Sequence, residues 1–257
     1  METFESSDGT VIAFERSGDG PSVVLVGGAL TDRSSARDLA RLLAPTCTVY
    51  CYDRRGRGSS GDSPPYEADL EVEDLEALII HVVGRASVFG VGTGGSLVLR
   101  AAAEGVALER IAVYEPPYIV DDSRAHPSPD LPARVRGMIA GGRARDAVER
   151  YLVEEAAVSL ATVARLQADP AWATMEALAP TITHDIAIIG DGSIPGGLSS
   201  ISVPTLVLDG AASAVWLRHA ARATAAAIPG AEYVTLDGPG FGFPAATAAP
   251  VLAAFLA

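Results

Sequence analysis

Lysine is absent from this chain of 257 residues, so all 19 of its basic side chains are arginines. A mechanism that forms a Schiff base on a lysine amine is therefore excluded. Acidic residues outnumber basic ones by 32 to 19, and the formal net charge at pH 7 is -13. Because binding to a nucleic-acid backbone depends on clustered basic side chains, we expect no nucleic-acid partner.

Cysteine and histidine are also scarce. The two cysteines, Cys47 and Cys51, lie in a run with the character of a strand, which separates their Cα atoms by roughly 13 Å and prevents a disulfide between them. The 4 histidines have no spacing typical of a metal site, so we expect neither a metal nor another cofactor. No apolar run approaches the ~18 residues that span a bilayer, and the polar N-terminus has no signal peptide. We therefore expect a cytoplasmic protein without a membrane partner.

Strand-like and helix-like segments alternate along most of the chain. The segment TVIAFERSG alternates apolar and polar residues and is predicted to be an outer antiparallel strand. Short β-branched runs such as SVVLV and ASVFG are each followed by helical spacing, which indicates a mostly parallel sheet with helices on both faces. Residues 118–200 contain helical pieces alone. We therefore predict an α/β core of residues 1–117 and 201–257, and a helical cap of residues 118–200.

One corner of the sequence, VFGVGTGGSL, passes from a strand through a burst of glycines into a helix. Together with VLVGGAL, YDRRGRGSS, VYEPPY and VPTLVLDG, in this order, the corner resembles the α/β-hydrolase fold over nearly the whole chain. The resemblance implies a twisted sheet that binds ligands at the carboxyl ends of its strands, beneath the cap. It also implies a nucleophile, an acid and a histidine in that chain order. Fold alone does not imply hydrolysis, because function depends on the site.

The three positions that carry this triad in the family hold other residues here. The nucleophile position at the tip of the elbow is Gly92, the acid position is Ser213, and the histidine position is Phe241. Since removal of one triad member already abolishes most of the rate, three losses argue against a serine acyl-enzyme. The oxyanion hole, in contrast, consists of backbone N–H groups, which by position belong to Ala29 and Thr93.

Three side chains are candidates for replacement catalytic groups. Glu115 lies in the run VYEPPY, at a strand end where some relatives carry the acid; the alternative is a buried glutamate that holds the local backbone. Tyr118 follows the double proline and either projects into the pocket or packs at the hinge. His184 is the histidine that can reach the site from the cap as a base, and a packed histidine is the alternative. The adjacent Asp185 is a candidate helix cap.

An apolar substrate pocket is expected around the elbow, beneath the cap. Its candidate wall residues come from the early loop, the cap, the acid loop and the histidine loop: Gly28, Trp172, Met175, Trp216 and Phe243. The alternative for these aromatic residues is ordinary packing in the core. The sequence leaves a homodimer open.

Three functions follow from these patterns, in decreasing order of preference. The first is a cofactor-independent enzyme that carries out cyclisation, isomerisation or elimination on an apolar carbonyl-bearing small molecule, such as a polyketide-like intermediate of secondary metabolism. In this enzyme the oxyanion donors and a carboxylate would replace the triad. The second is an ester or epoxide hydrolase with relocated catalytic residues. The third is a non-catalytic protein that binds a small molecule.

Overall fold

The short β-branched runs form the centre of an eight-stranded sheet in the computed structural model, which describes residues 1–238 and 240–256. The strands are β1 (Glu2–Glu5), β2 (Val11–Ser17), β3 (Ser22–Val26), β4 (Thr48–Tyr52), β5 (Ala86–Val91), β6 (Leu108–Tyr114), β7 (Thr205–Gly210) and β8 (Glu232–Leu236). Their order in the sheet is β1-β2-β4-β3-β5-β6-β7-β8. From β4 to β8 all neighbours are parallel, whereas β2 is antiparallel to both β1 and β4. The prediction of a mostly parallel α/β sheet is confirmed.

The antiparallel edge of the sheet differs from the prediction by one strand. β2, which was predicted to be the outer strand, lies second, because β1 pairs with it and places Phe4 opposite Ile12. Within β1 only Phe4 is buried, and the other three residues are exposed. A strand of four residues with one buried side chain has no periodic pattern for sequence analysis to detect.

Helices cover both faces of the sheet. The helices of the α/β core are α1 (Arg37–Leu43), α2 (Ala68–Val82), α3 (Thr93–Ala103), α9 (Val215–Ala227) and α10 (Ala245–Leu256). Alternate strand residues point to opposite faces, so that Val24 packs with α2, α3 and α9, whereas Val23 packs with α1 and α10. This two-sided burial explains why the central strands are continuously apolar in sequence.

The segment between β6 and β7, all of it within the described residues, contains helices and loops but no strand, as the sequence predicted. It contains α4 (Leu131–Ala140), α5 (Ala144–Glu154), α6 (Leu160–Gln167), α7 (Trp172–Ala177) and α8 (Ile182–Ile189), together with short 3₁₀ turns. These helices have their own hydrophobic cluster, which we call the cap cluster, and which includes Leu131, Val135 and Ile182. Leu30, from the loop after β3, also belongs to the cap cluster. The cap therefore packs directly onto a loop at the carboxyl ends of the strands. The boundaries of the cap as a separate domain stay a prediction.

Cys47 and Cys51 are both buried, and neither forms a disulfide in the described part of the chain, as predicted. Within residues 1–238 and 240–256, no helix is both long enough and apolar enough to cross a membrane.

Candidate active site

Gly92 forms the turn between β5 and α3. Its backbone has φ 55° and ψ −122°, a conformation that a residue with a side chain adopts only with strain. Its N–H donates a hydrogen bond of 2.8 Å to the carbonyl oxygen of Tyr114 on the neighbouring β6. A Cβ atom at Gly92 would meet no described atom within 4 Å. The tip of the turn therefore faces open space at the carboxyl ends of the strands.

The turn is tight because two flanking glycines allow the backbone to approach closely. A Cβ at Gly90 would lie 2.5 Å from the carbonyl oxygen of Gly94. A Cβ at Gly94 would lie 2.5 Å from the carbonyl oxygens of both Val26 and Gly27. Neither position can hold a larger residue without a shift of the backbone. The corner therefore has the strand–turn–helix form of a nucleophile elbow, with glycine at its tip.

The two predicted oxyanion donors lie on either side of this tip. A Cβ at Gly28 would lie 2.8 Å from the carbonyl oxygen of Val91, so the loop that carries Ala29 rests against the end of β5. Thr93 is the first residue of α3, where a helix N–H has no acceptor within its own helix and the helix dipole favours negative charge. The Thr93 side chain is engaged elsewhere, because its hydroxyl donates to Asp185 Oδ1 at 2.7 Å.

Glu115 directly follows β6 and is half-buried. Its φ of 49° is unusual for a residue with a side chain, and its N–H is bonded to the Leu208 carbonyl oxygen at 3.0 Å. Its Oε1 accepts a hydrogen bond of 3.0 Å from the Gly210 N–H at the end of β7. Burial raises the pKa of Glu115 above its usual value, although Ser213 and the Gly210 N–H act in the opposite direction.

Tyr114 and Ser213 place their hydroxyls beside this carboxylate. A Cβ at Gly210 would lie 2.5 Å from Ser213 Oγ, 2.8 Å from the Tyr114 hydroxyl oxygen and 3.4 Å from Glu115 Oε1. Three polar side chains therefore surround Gly210, in what we call the carboxylate cluster (Tyr114, Glu115, Ser213). Sequence reasoning missed Tyr114 because it ends an apolar strand, whose pattern assigns it to the core.

The other two predicted catalytic residues lie in different surroundings. The side chain of Tyr118 is in the hydrophobic core, 2% exposed, and burial raises the pKa of its hydroxyl to about 12. The His184 ring stacks on Tyr66 with 3.7 Å between ring centroids, and its Nε2 lies 3.8 Å from Asp62 Oδ2. Burial lowers the pKa of His184. The ring thus packs against the loop after β4, and catalytic roles for Tyr118 and His184 stay predictions.

Asp185 is not a helix cap, and this prediction is wrong. Helix α8 begins at Ile182, so Asp185 lies inside its first turn, where its carboxylate is completely buried. Oδ1 accepts hydrogen bonds from Arg54 at 2.9 Å and from Arg57 at 2.8 Å, in addition to the one from Thr93. These arginine charges hold the pKa of Asp185 below its usual value, although burial alone would raise it.

Both arginines extend the network to the loop after β3. Arg54 makes two hydrogen bonds, of 2.6 and 2.8 Å, to the buried carboxylate of Glu71 on α2. Its Nη1 also lies 3.3 Å from the Gly27 carbonyl oxygen. Arg57 donates to the carbonyl oxygen of Gly28 at 2.5 Å. The arginine-rich run DRRGRG was the sequence signal for this network, but its partners are distant in the chain.

Apart from Gly28, which lies on the loop after β3, the predicted wall residues are distributed over three regions. Trp172 is 4% exposed in the cap cluster, with its indole N–H donating to Glu176, and Met175 packs against the same cluster. Trp216, on α9, lies under the guanidinium of Arg124, whose Cζ is 4.5 Å from the centroid of the indole ring.

Phe243 packs on the sheet, and its ring centroid lies 5.2 Å from the ring centroids of both Phe89 and Tyr114. Phe241, which the sequence predicted at the histidine position, is 44% exposed. Pro239, between this position and β8, lies outside the described residues. The assignment of these side chains to a substrate pocket stays a prediction.

Comparison with known proteins identifies the family. The model of the Alpha/beta hydrolase family matches residues 23–253. An alpha/beta hydrolase from Sphaerobacter thermophilus is 50% identical in sequence, with a TM-score of 0.97 and 100% of each chain covered. This chain belongs to the alpha/beta hydrolase family. No curated protein gives a significant match.

Two further solved structures are less similar to this chain. An enol-lactonase from Burkholderia xenovorans is 25% identical, with a TM-score of 0.67 over 93% of this chain and 92% of its own. A thermophilic esterase from Thermogutta terrifontis is 22% identical, with a TM-score of 0.67 over 92% of this chain and 90% of its own. At that identity the esterase shows the fold alone.

Proposed function

We propose that this protein adds water directly to a small carbonyl-bearing substrate, with Glu115 as general base and without a covalent acyl-enzyme. The observation that carries the proposal is a half-buried carboxylate one strand from an elbow whose tip, Gly92, has no side chain. Neighbouring strands are about 4.8 Å apart, so a water molecule between the tip and β7 would be within reach of Glu115.

The electrostatics of Glu115 suit a general base. Burial raises the pKa of Glu115 above its ordinary value, and a more basic carboxylate removes a proton from water more effectively. The hydrogen bond from the Gly210 N–H holds the carboxylate in place. Tyr114 and Ser213 add hydroxyls that can orient the carboxylate or the attacking water.

The proposed reaction has two steps. The water oxygen attacks the carbonyl carbon while Glu115 takes a proton, and the N–H groups of Ala29 and Thr93 stabilise the resulting oxyanion. The oxyanion then collapses, the bond to the leaving oxygen breaks, and Glu115 returns its proton to the leaving group. Without a histidine acid, esters with good leaving groups should react best. An enol-lactone, the substrate class in the name of one relative, has such a leaving group.

The same groups support a second candidate, the non-hydrolytic chemistry favoured by the sequence. The elbow tip, Gly92, supplies no nucleophile. A base and an oxyanion hole are sufficient to remove a proton next to a carbonyl and to stabilise the enolate. Isomerisation, elimination or cyclisation can follow from that enolate. The hydrolases among the relatives favour hydrolysis over this alternative.

The two candidates are separated by product analysis. We expect the protein to hydrolyse dihydrocoumarin, an aryl lactone, above the buffer rate, with no acyl adduct in the intact mass and no labelling by a fluorophosphonate. Deuterium uptake next to the carbonyl of 2-tetralone in D₂O, without lactone hydrolysis, would favour the enolate chemistry instead. Thermal stabilisation by these compounds without any product would favour a binding protein.

Glu115→Gln should abolish most of the turnover in either case. A matched control is Glu155→Gln, because Glu155 is a buried glutamate of the cap whose pKa burial also raises, next to Arg124. Equal activity in Glu115→Gln and the wild type would exclude Glu115 as the base.

A further inference from the structure

We propose that Asp185 and Arg57 form a clamp that orients the Ala29 N–H, so that the oxyanion hole is complete only while α8 of the cap is docked. The clamp rests on the proposed function only in that the Ala29 N–H is taken as an oxyanion donor. In this arrangement Asp185 and Arg57 are positioning residues, and neither touches the substrate.

Arg57 binds the carbonyl oxygen of the Gly28–Ala29 peptide group. Arg57 Nη1 donates to the Gly28 carbonyl oxygen at 2.5 Å and to the Thr31 carbonyl oxygen at 3.2 Å. In a planar trans peptide the C=O of one residue and the N–H of the next point in opposite directions. The Ala29 N–H therefore points away from the buried guanidinium, and any rotation of the Gly28 carbonyl turns this donor as well.

The charge of Arg57 is buried and needs a partner of opposite charge. Its side chain is 1% exposed, and a buried charge without a partner is strongly unfavourable. Asp185 supplies the opposite charge through an Nη2–Oδ1 contact of 2.8 Å. The same Oδ1 accepts the hydroxyl of Thr93 at 2.7 Å. One carboxylate oxygen of the cap therefore connects both predicted donors of the oxyanion hole, the loop of Ala29 and the start of α3.

Leu30, on the other side of Ala29, is held by the cap. Leu30 has φ 56°, in the left-handed region that a non-glycine residue adopts only with strain. Its side chain is 3% exposed and packs in the cap cluster. Ala29 is thus held from both sides, by the Gly28 carbonyl, which accepts from Arg57 and from the Thr31 hydroxyl at 2.8 Å, and by Leu30 under the cap helices. Undocking of α8 would remove the counter-charge of Arg57 and loosen the packing of Leu30 together.

A second ion pair on the same loop provides a matched control. Arg55 makes two contacts of 2.8 Å with Asp74 on α2, and both side chains are as buried as the clamp. The remaining partners of Arg55 are Asp8 at 3.0 Å and the Leu70 carbonyl oxygen at 3.3 Å. These partners lie on the loop after β1 and on α2. Asp74→Asn therefore weakens a buried ion pair that does not contact the loop of Ala29.

The test compares Asp185→Asn with Asp74→Asn in the full chain. We expect Asp185→Asn to lower kcat for p-nitrophenyl acetate by about 10- to 100-fold, since small misplacements of catalytic groups have effects of this size, and to change KM little. We also expect the Ala29 amide to shift in the ¹H–¹⁵N spectrum and to exchange faster with solvent. Asp74→Asn should leave kcat and the Ala29 amide close to the wild type, despite a similar loss of thermal stability.

Equal losses of kcat in the two variants, or an Ala29 amide that is unchanged in Asp185→Asn, would overturn the clamp. If the wild type does not turn over p-nitrophenyl acetate, the proposed hydrolysis fails for this ester, but the Ala29 amide still decides the clamp. If Asp185→Asn does not fold, Arg57→Lys provides the second variant, because it keeps the charge beside Asp185 and loses the planar fork whose Nη1 binds the two carbonyls while its Nη2 binds Asp185. The same shift of the Ala29 amide is expected there, and its absence would overturn the clamp.

Discussion

Replacing Gly92 by alanine tests whether the fold imposes the elbow conformation on this residue. Because a Cβ at Gly92 meets no described atom within 4 Å, steric contact contributes nothing, and the whole effect comes from φ 55° and ψ −122°. Holding an alanine in such a region costs about 1–3 kcal/mol. Since each kcal/mol shifts the Tm of a chain of this size by about 2–4 °C, we expect Gly92→Ala to lower Tm by roughly 2–12 °C.

Gly137 provides the control for this measurement. It lies within α4, and a Cβ there also meets no described atom within 4 Å, but its backbone is helical. Alanine is favoured over glycine in a helix interior by about 1 kcal/mol, so Gly137→Ala should raise Tm. Thermal unfolding followed by circular dichroism under identical conditions compares the two variants. If Gly92→Ala raised Tm as Gly137→Ala does, Gly92 would not be held in the elbow conformation, and the argument for the elbow would be refuted.

Three further predictions concern the catalytic positions and the buried network. Gly92→Ser alone should not react with a fluorophosphonate, whereas the double variant Gly92→Ser with Phe241→His should react with it. Because Phe241 is 44% exposed, Phe241→His should change the free energy of unfolding by no more than about 0.5 kcal/mol. The kcat/KM for dihydrocoumarin should rise with pH through a midpoint above the ordinary glutamate pKa, and Glu115→Gln should lose this limb of the profile. Because the raised pKa means that the folded state binds this proton more tightly than the unfolded state, wild-type stability should also fall relative to Glu115→Gln as pH rises from the unfolded to the folded pKa. Finally, Arg54→Met should destabilise the fold by about 3–5 kcal/mol because it leaves Glu71 buried without its charge partner, and Arg54→Met with Glu71→Leu should recover part of this loss in urea unfolding.

The fold was predictable because it depends on patterns that are local in the chain. Alternating β-branched and helical segments specify a covered parallel sheet, and the glycines of VFGVGTGGSL specify a corner where two backbones approach closely. The residue types at the three predicted triad positions, Gly92, Ser213 and Phe241, are likewise read directly from the sequence. Strand β1 was missed because one buried residue, Phe4, is too little pattern.

The surroundings of the site were decided by the tertiary structure alone. Asp185 has the local sequence of a helix start, but it is the shared counter-ion of Arg54 and Arg57, from which it is separated by 131 and 128 residues. No local pattern distinguishes an arginine that will be buried from one that stays in solvent. Residue types and element order are properties of the chain, whereas charge pairing depends on distances of a few ångströms that only packing of the cap onto the sheet creates.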